Sequence, residues 1–570
     1  MSDSIVWGGD DPFTHMLCVG PTRCGKTATI LKPIIYQSLL QKKKGKKLGL
    51  SIIEPKGDLA RDVKEYCDEM DIPYVYIDPE SEDSHHFNVM EGNTDDVAEA
   101  TVAVLQSLFG KQEAFFQTIQ ELSTRNITKL LKEIHGDDMD LIDVLVALRD
   151  EHVLREKVAL LKLQKGNTDL VEFFENELLG SLGEKYRQLV IGLRAQLENI
   201  TGNEKLRKII TGKSDINIDE HFEKGGVLIV NTALGTLKKA GDAFGQFVSM
   251  HLQSGTFRRK GTEQTRIPHF IVTDEYSRYI NPDIEMFLSI AASYRVAGIF
   301  ATQSLGQLEV EAGKIGAKAM KKAILTSCRN KIAFSGLSAE DAKEFAEEFG
   351  KDKVVVRQST FKNRIILPKL FPDNYRDTES EEFRFTYTYL QDGMKRFHYI
   401  ARLLHEGTPQ KPIEGVGEFV PRDWKERKEW DVNQDIRKPK LQILAWFNKK
   451  NPDQDDFQRH NDNSESVLNA SSEENESPEL QVHSNEIDFK EEPDSQAAIT
   501  RPVLENTKEV LNKKYKPLNI TSPKIHETST SSNQKKTLEN STKADDESNL
   551  VLPSGESASA QKKQDSDDFW

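Results

Sequence analysis

From residue 15 to about 95, short apolar runs alternate with amphipathic stretches: HMLCV, KTATILKPIIYQSLL, LGLSIIE, LARDVKEYCDEM and YVYID. Unbroken apolar runs of this length predict strands buried on both faces, and the stretches between them repeat apolar residues at helical spacing. Strand, helix, strand, helix, strand in that order predicts a parallel sheet covered on both sides.

The pattern changes at residue 96. VAEATVAVLQSLF, TIQELSTRNITKLLKEI, LIDVLVALRDEHVLREKVALL and YRQLVIGLRAQLENI all carry helical periodicity, with almost no strand-like run, up to residue 222. The α/β rhythm then returns in GGVLIVN (225–231), HFIVTDE (269–275), GIFATQ (298–303) and NKIAFSG (330–336). The expected organisation is an α/β nucleotide-binding domain in two parts, 1–95 and 223–449, interrupted by an all-helical domain at 96–222. Residues 450–570 turn to Ser, Asn, Glu, Asp, Gln and Lys with few aromatics. Such a segment buries too little apolar surface to offset the entropy of ordering, so a disordered acidic tail is expected there.

That tail also explains the charge. The net charge of −15 over 570 residues weighs against a nucleic-acid partner only if it is spread evenly. Residues 451–570 hold 25 acidic and 13 basic groups, which leaves the first 450 residues at −3. A nearly neutral body leaves room for a local basic lining, and QKKKGKK (41–47), FRRK (257–260) and KAMKKAILTSCRNK (318–331) are the candidates. The four cysteines form no CxxC pair, which argues against a disulfide framework or a zinc site and fits a reducing compartment. No stretch approaches the ~20 apolar residues of a membrane span.

The chemistry is concentrated at strand ends. GPTRCGKT, comprising Gly20, Pro21, Thr22, Arg23, Cys24, Gly25, Lys26 and Thr27, fits the phosphate-binding loop, with a strand before it and a helix after it. Its backbone N–H groups cradle phosphate oxygens, Lys26 reaches the β and γ phosphates, and the Thr27 hydroxyl suits Mg²⁺. Asp274, at the end of HFIVTDE, suits the metal and its waters, and Glu275 beside it suits polarising an attacking water. Gln303 ends the next apolar run, where an amide senses the γ-phosphate. Glu54, Pro55, Lys56 and Gly57 are expected at the carboxyl end of the strand next to the phosphate loop, the edge where open α/β sheets bind ligands. Cys24, if exposed, is open to alkylation that nucleotide blocks. NKIAF lacks the aspartate of a guanine-reading Asn-Lys-x-Asp loop, and nothing resembles the small-substrate lid of a metabolic kinase.

In this order GPTRCGKT, EPKGDL, HHFNVM, VTDEYSRY, ATQSLGQLE and CRNKIAFSGLSAEDAKEFAEEFG resemble the coupling-protein ATPases of type IV secretion and conjugation, the TraG/TraD-like family. The resemblance covers roughly residues 15–405. It implies a P-loop, RecA-like fold with an inserted helical domain, ATP and Mg²⁺ as ligands, and a homo-hexameric ring. The implied activity is ATP hydrolysis that feeds relaxase-bound, single-stranded DNA into a secretion channel, with relaxosome proteins as partners. The alternatives are a nucleotide-gated docking receptor for secreted protein cargo and a chromosome or phage DNA translocase.

Carried over by motif, Lys26 and Thr27 match the nucleotide-binding pair, Asp274 and Glu275 the metal and catalytic acids, Gln303 the sensor, and Lys56 the lysine of an Asp-Pro-Lys-Gly segment whose aspartate is Glu54 here. The family's trans-acting arginine, on the helix before the sensor strand, falls at Ala292, and Arg295 one turn on is the expected substitute. Family members usually begin with transmembrane helices, whereas about fourteen residues precede the first strand of this chain. A cytoplasmic protein recruited to the inner face of the membrane by a separate subunit or the channel is therefore expected.

Overall fold

Strand β1 (Met16–Val19) is buried along its whole length, as a strand must be when helices cover both faces of its sheet. The computed structural model describes residues 7–109, 113–181, 183–313, 315–360 and 374–426; the acidic tail expected at 450–570 lies outside them. After β1 a π-turn, Lys26–Leu31, runs directly into helix α1 (Lys32–Lys43). Pro33 has no N–H to continue an i→i−4 ladder, and the wider π register just before it absorbs the missing bond. Next come β2 (Gly49–Glu54), α2 (Asp58–Met70) and β3 (Val75–Ile77). Helix α2 is amphipathic, burying Leu59, Val63, Tyr66, Cys67 and Met70 against the sheet, and each such side chain is worth roughly 1.5–3 kcal/mol.

Between β3 and the next strand the described residues include no strand, and after a loop the helices run from α3 (Thr94–Ser107) and α4 (Ala114–His135) through to the helix Ile218–Lys224. Ile127, Leu130, Leu131, Val144 and Leu197 are fully buried within this stretch. Arg258, on the long helix Lys239–Arg258, binds Asp96 near its start and Asp219 near its end, the latter at 2.7 Å. The basic segment 257–260 is thus engaged inside the fold, since Arg259 also donates to the carbonyls of Tyr294 and Ile267, each at 2.5 Å.

The remaining strands are β4 (Val227–Asn231), β5 (His269–Thr273), β6 (Val296–Thr302) and β7 (Asn330–Phe334), then β8 (Lys351–Thr360), β9 (Asn374–Phe383), β10 (His398–Arg402), β11 (Leu404–His405), β12 (Thr408–Pro409) and β13 (Ile413–Val416). The main sheet runs β13-β10-β7-β1-β6-β5-β2-β4-β3. It is parallel from β7 to β3, and β10 and β13 extend it in antiparallel fashion. No two of β1, β2 and β3 are neighbours. β8 and β9 form a separate antiparallel ribbon with Val355 and Tyr375 exposed. Beyond β13 the chain continues to Trp424, whose ring meets Tyr36 of α1 and Tyr66 of α2 edge-on at 6.0 and 4.7 Å. Among the described residues no helix is long and apolar enough to cross a membrane.

The core holds a polar knot. The hydroxyl of Ser51 on β2 is hydrogen-bonded to Nε2 of both His221 (2.9 Å) and His269 (2.8 Å). His269 fits only because its partner on β2 is Gly49, where a Cβ would fall 2.7 Å from the ring's Cε1. His15 is equally enclosed, accepting the Gly298 N–H at Nδ1 and facing the Leu288 carbonyl with Nε2. Burial pushes His221 down to about 3, His15 and His251 down to about 4, and His269 well below the ordinary value.

Each of these histidines stays neutral in the folded chain and takes a proton near pH 6.5 on unfolding, so the unfolded state binds more protons below that pH. The histidines' share of the stability is expected to be flat above pH 6.5 and to fall between pH 6.5 and about 4, by about 1.4 kcal/mol per histidine at pH 5.5, offset in part by Glu54, which burial lifts to about 7 and which stabilises the fold as it gains its proton. Urea-denaturation midpoints at pH 7.5 and 5.5 measure this.

Candidate functional site

The carboxyl ends of four adjacent strands, β1, β6, β5 and β2, place the sequence-read residues at one edge of the sheet. After β1 the loop turns through Arg23 (φ +66) and Gly25 (φ +118) into the helix beginning at Lys26. Both glycines of the motif are needed for space. A Cβ at Gly20 would lie 2.7 Å from Cys24 Sγ and from Phe334 Cβ, and one at Gly25 would lie 2.8 Å from Phe397 Cδ1. Lys26 is buried, its ammonium donating to the carbonyls of Gly20 (2.5 Å) and Pro21 (3.2 Å) inside the loop. Thr27 Oγ1 donates to Asp274 Oδ2 at 2.8 Å, joining the loop to the end of β5.

Glu275 follows in the left-handed region (φ +51), with its N–H on Asp274 Oδ1 at 3.0 Å. Tyr276 then stacks on Phe300 of β6 at 3.9 Å and fixes the turn. The Glu275 carboxylate accepts from Gln303 Nε2 at 3.0 Å and lies 3.6 Å from Lys56 Nζ. Gln303 is positioned by a residue the motif reading missed: Gln307 Oε1 accepts its backbone N–H (3.2 Å) and the Thr302 hydroxyl (3.0 Å). The only sequence signal for Gln307 is a second glutamine four residues on, at turn spacing. Glu54, at the end of β2, accepts the N–H of Lys56 (2.8 Å) and of Ala60 (3.2 Å), shaping the turn that presents Lys56.

Burial dominates the electrostatics. It raises the Asp274 carboxyl above its usual range, the Thr27 hydroxyl pulls the other way, and the neighbouring Glu275 charge adds to the rise. Burial lifts Glu54 to about 7 against the pull of the backbone N–H groups of Lys56, Ala60 and Gly57. Carboxylates held this way favour a cation. A hydroxyl and a carboxylate oxygen 2.8 Å apart beside a lysine are hard donors of the kind Mg²⁺ takes, and the glycine-lined cradle suits phosphate, so the residues fit MgATP.

Arg295 is not brought to this edge. Residues Ala291–Tyr294 form a single 3₁₀ turn, and Arg295 follows it in the left-handed region at the amino end of β6, the end opposite Gln303. Its guanidinium pairs with Asp10 at 2.7 Å and lies 4.7 Å from the centre of the Phe13 ring. The helix face expected to carry it in step with Ala292 is therefore absent.

Residues 268–382 match the family model described as the TraM recognition site of TraD and TraG. Among solved structures the fold is similar to the bacterial conjugative coupling protein TrwBdeltaN70 in an unbound form, at 14% identity and TM-score 0.53 over 72% of this chain and 86% of that one. It is also similar to plasmid coupling protein TrwB in complex with ADP and Mg²⁺ (14%, TM-score 0.51) and with the GTP analogue GDPNP (14%, TM-score 0.50), each over 72% of this chain and 88% of that one. No curated protein matches the chain in sequence. The α/β, P-loop fold class and the resemblance to type IV coupling proteins read from the motifs are both borne out.

All four cysteines are buried, and burial raises the Cys24 thiol; the exposure that alkylation of Cys24 requires is not found. Folded protein at pH 7.5 is expected to react with an aromatic disulfide reagent at fewer than one thiol in the minutes that release all four in denaturant, as absorbance of the released thiolate measures.

Proposed function

We propose that this coupling-protein-like chain is an ATP-hydrolysing motor that recruits relaxase-bound, single-stranded DNA and drives it into a conjugative type IV secretion channel as a homo-hexamer. One observation carries the reading: Lys26, Thr27, Asp274, Glu275 and Gln303 converge at the carboxyl ends of three neighbouring strands, with hydrogen bonds already linking Thr27 to Asp274 and Gln303 to Glu275. The phosphate loop would hold the ATP phosphates through Lys26 and backbone N–H groups. Thr27 and Asp274 would hold Mg²⁺, which supplies charge neutralisation at the phosphates when bound. Glu275 would orient and deprotonate the attacking water, kept in place by Gln303 on one side and Lys56 on the other. The pairing of Gln303 with Glu275 gives the sensor a physical handle, because any shift of that carboxylate moves the β6 turn that Gln307 fixes.

For DNA, the strongest support is a cleft of about 770 Å³ that includes Lys318, Lys321, Lys322, Arg329, Lys331 and Arg402 against Glu309, Glu344 and Glu348. Repeated around a ring, such a surface would meet a phosphate backbone with a salt-sensitive affinity. The helical stretch at 96–222 would recognise cargo, and a separate membrane subunit or the channel would place the protein at the inner membrane face.

The match to a TraM recognition site favours a second reading, a nucleotide-gated receptor for a relaxosome protein. Glu275→Gln is expected to keep nucleotide binding and lower turnover by about 10²- to 10⁴-fold. Single-stranded DNA is expected to raise the wild-type rate severalfold, less so at higher salt. A rate indifferent to DNA but raised by a relaxosome protein would replace the motor with the receptor.

A further inference from the structure

On its β5 and β6 side the phosphate loop meets Asp274 through Thr27 and the Thr302 carbonyl through the Gly20 N–H, with Glu275 and Gln303 next in sequence to these; on its β7 side it meets aromatic rings. Gly25 faces Phe397, the residue immediately before β10, and Phe334 at the end of β7. Phe397 is itself in the left-handed region (φ +65), where a bulky side chain is costly and persists only when its surroundings over-determine it. Here they do, because its carbonyl accepts the Gly417 N–H at 2.8 Å. Gly417 packs on Thr29, two residues past Thr27, so closely that a Cβ there would overlap the Thr29 side chain. Two residues further along, Phe419 sets its ring edge-to-face on Phe397 with centroids 5.1 Å apart at 84°. Phe419 nevertheless stays 52% exposed. A large aromatic anchored by a neighbour, open to solvent and continuous with the phosphate loop calls for an occupant.

The direction of the site supplies one. A nucleoside triphosphate whose terminal phosphoryl lies toward Glu275 and Gln303, on the β5 and β6 side, must run its other end toward β7 and β10. That is where Phe397 and Phe419 stand. We infer that Phe397 and Phe419 form the platform on which the purine base stacks, with the segment from β13 to Trp424 holding the platform against the loop. The inference rests on the nucleotide reading of the loop and adds the chemistry at its other end. A π-face recognises the breadth of the base, so purine nucleotides bind more tightly than pyrimidine ones.

The test is equilibrium binding to the full-length chain, by titration calorimetry with Mg²⁺. The probes are a non-hydrolysable ATP analogue, the corresponding CTP analogue and inorganic tripolyphosphate, each with the wild type, Phe419→Ala and Phe419→Trp. The ATP analogue is expected to weaken about tenfold in Phe419→Ala, with tripolyphosphate unchanged and the wild type preferring ATP over CTP. Phe419→Trp is expected to keep the affinity, its fluorescence quenched by the ATP analogue and untouched by tripolyphosphate. Phe419 is exposed enough that neither change threatens the fold. If Phe419→Ala shifts neither ligand, or both equally, the platform is overturned while the phosphate site stands. If the wild type binds neither the ATP analogue nor tripolyphosphate, the nucleotide reading fails and the platform with it.

Discussion

Everything at the candidate site depends on the interleaving of strands from two parts of the chain. β6 and β5 lie side by side between β1 and β2. That arrangement carries Gln303, Asp274 and Glu275 from the later part of the chain to Lys26, Thr27 and Lys56 from the earlier part. The hydrogen bond from Thr27 to Asp274 is the tightest expression of it, spanning 247 residues of sequence in 2.8 Å. Parallel pairing makes this possible, because each crossover returns the chain to the same edge and successive strand ends accumulate there. The Ser51 knot with His221 and His269 fastens the same β2 and β5 pairing from within the core.

Local patterns carried the elements well and the long-range arrangement poorly. The unbroken apolar runs around Leu17, Ile52 and Ile229 announce buried strands because burial on both faces leaves no room for alternation, and the structure begins only β6 earlier than the apolar run suggested, at Val296. Strand order is a matter of pairing between distant segments, and nothing in a single run encodes its partner. The phosphate loop was legible because its glycines answer to space and φ at two fixed positions. Helical spacing carried the reading from Ala292 to Arg295, whereas a 3₁₀ turn ends one residue before Arg295 and leaves it on no shared helix face. Phe397 and Phe419 gave no signal, being single aromatics in segments without periodicity. The β8–β9 ribbon went unread because its residues alternate no clean apolar face.

The site is built at a cost in stability. Asp274 and Glu54 are buried carboxyls whose proton affinity is raised, and Arg23 and Glu275 occupy backbone conformations that side chains avoid. A carboxyl with a raised pKa disfavours the folded chain at neutral pH, where it must be either desolvated and charged or protonated against the solvent. A cation held between Thr27 and Asp274, as proposed, would remove part of that penalty, and ligand and fold would then support each other through the same atoms.

The strand order also bears on synthesis. β2 takes both of its neighbours, β4 and β5, from beyond the helical stretch, and β1 takes β6 and β7 from later still. As the chain leaves the ribosome, roughly 170 residues separate the end of β2 at Glu54 from the start of β4 at Val227. At ~5–20 residues per second that is roughly 10–30 s. Throughout that interval the first three strands have only α1 and α2 to cover them and no partner for their ladders. The nascent amino-terminal part is therefore the stretch of this protein most in need of a chaperone, and the helical insertion has time to fold before the sheet around it closes.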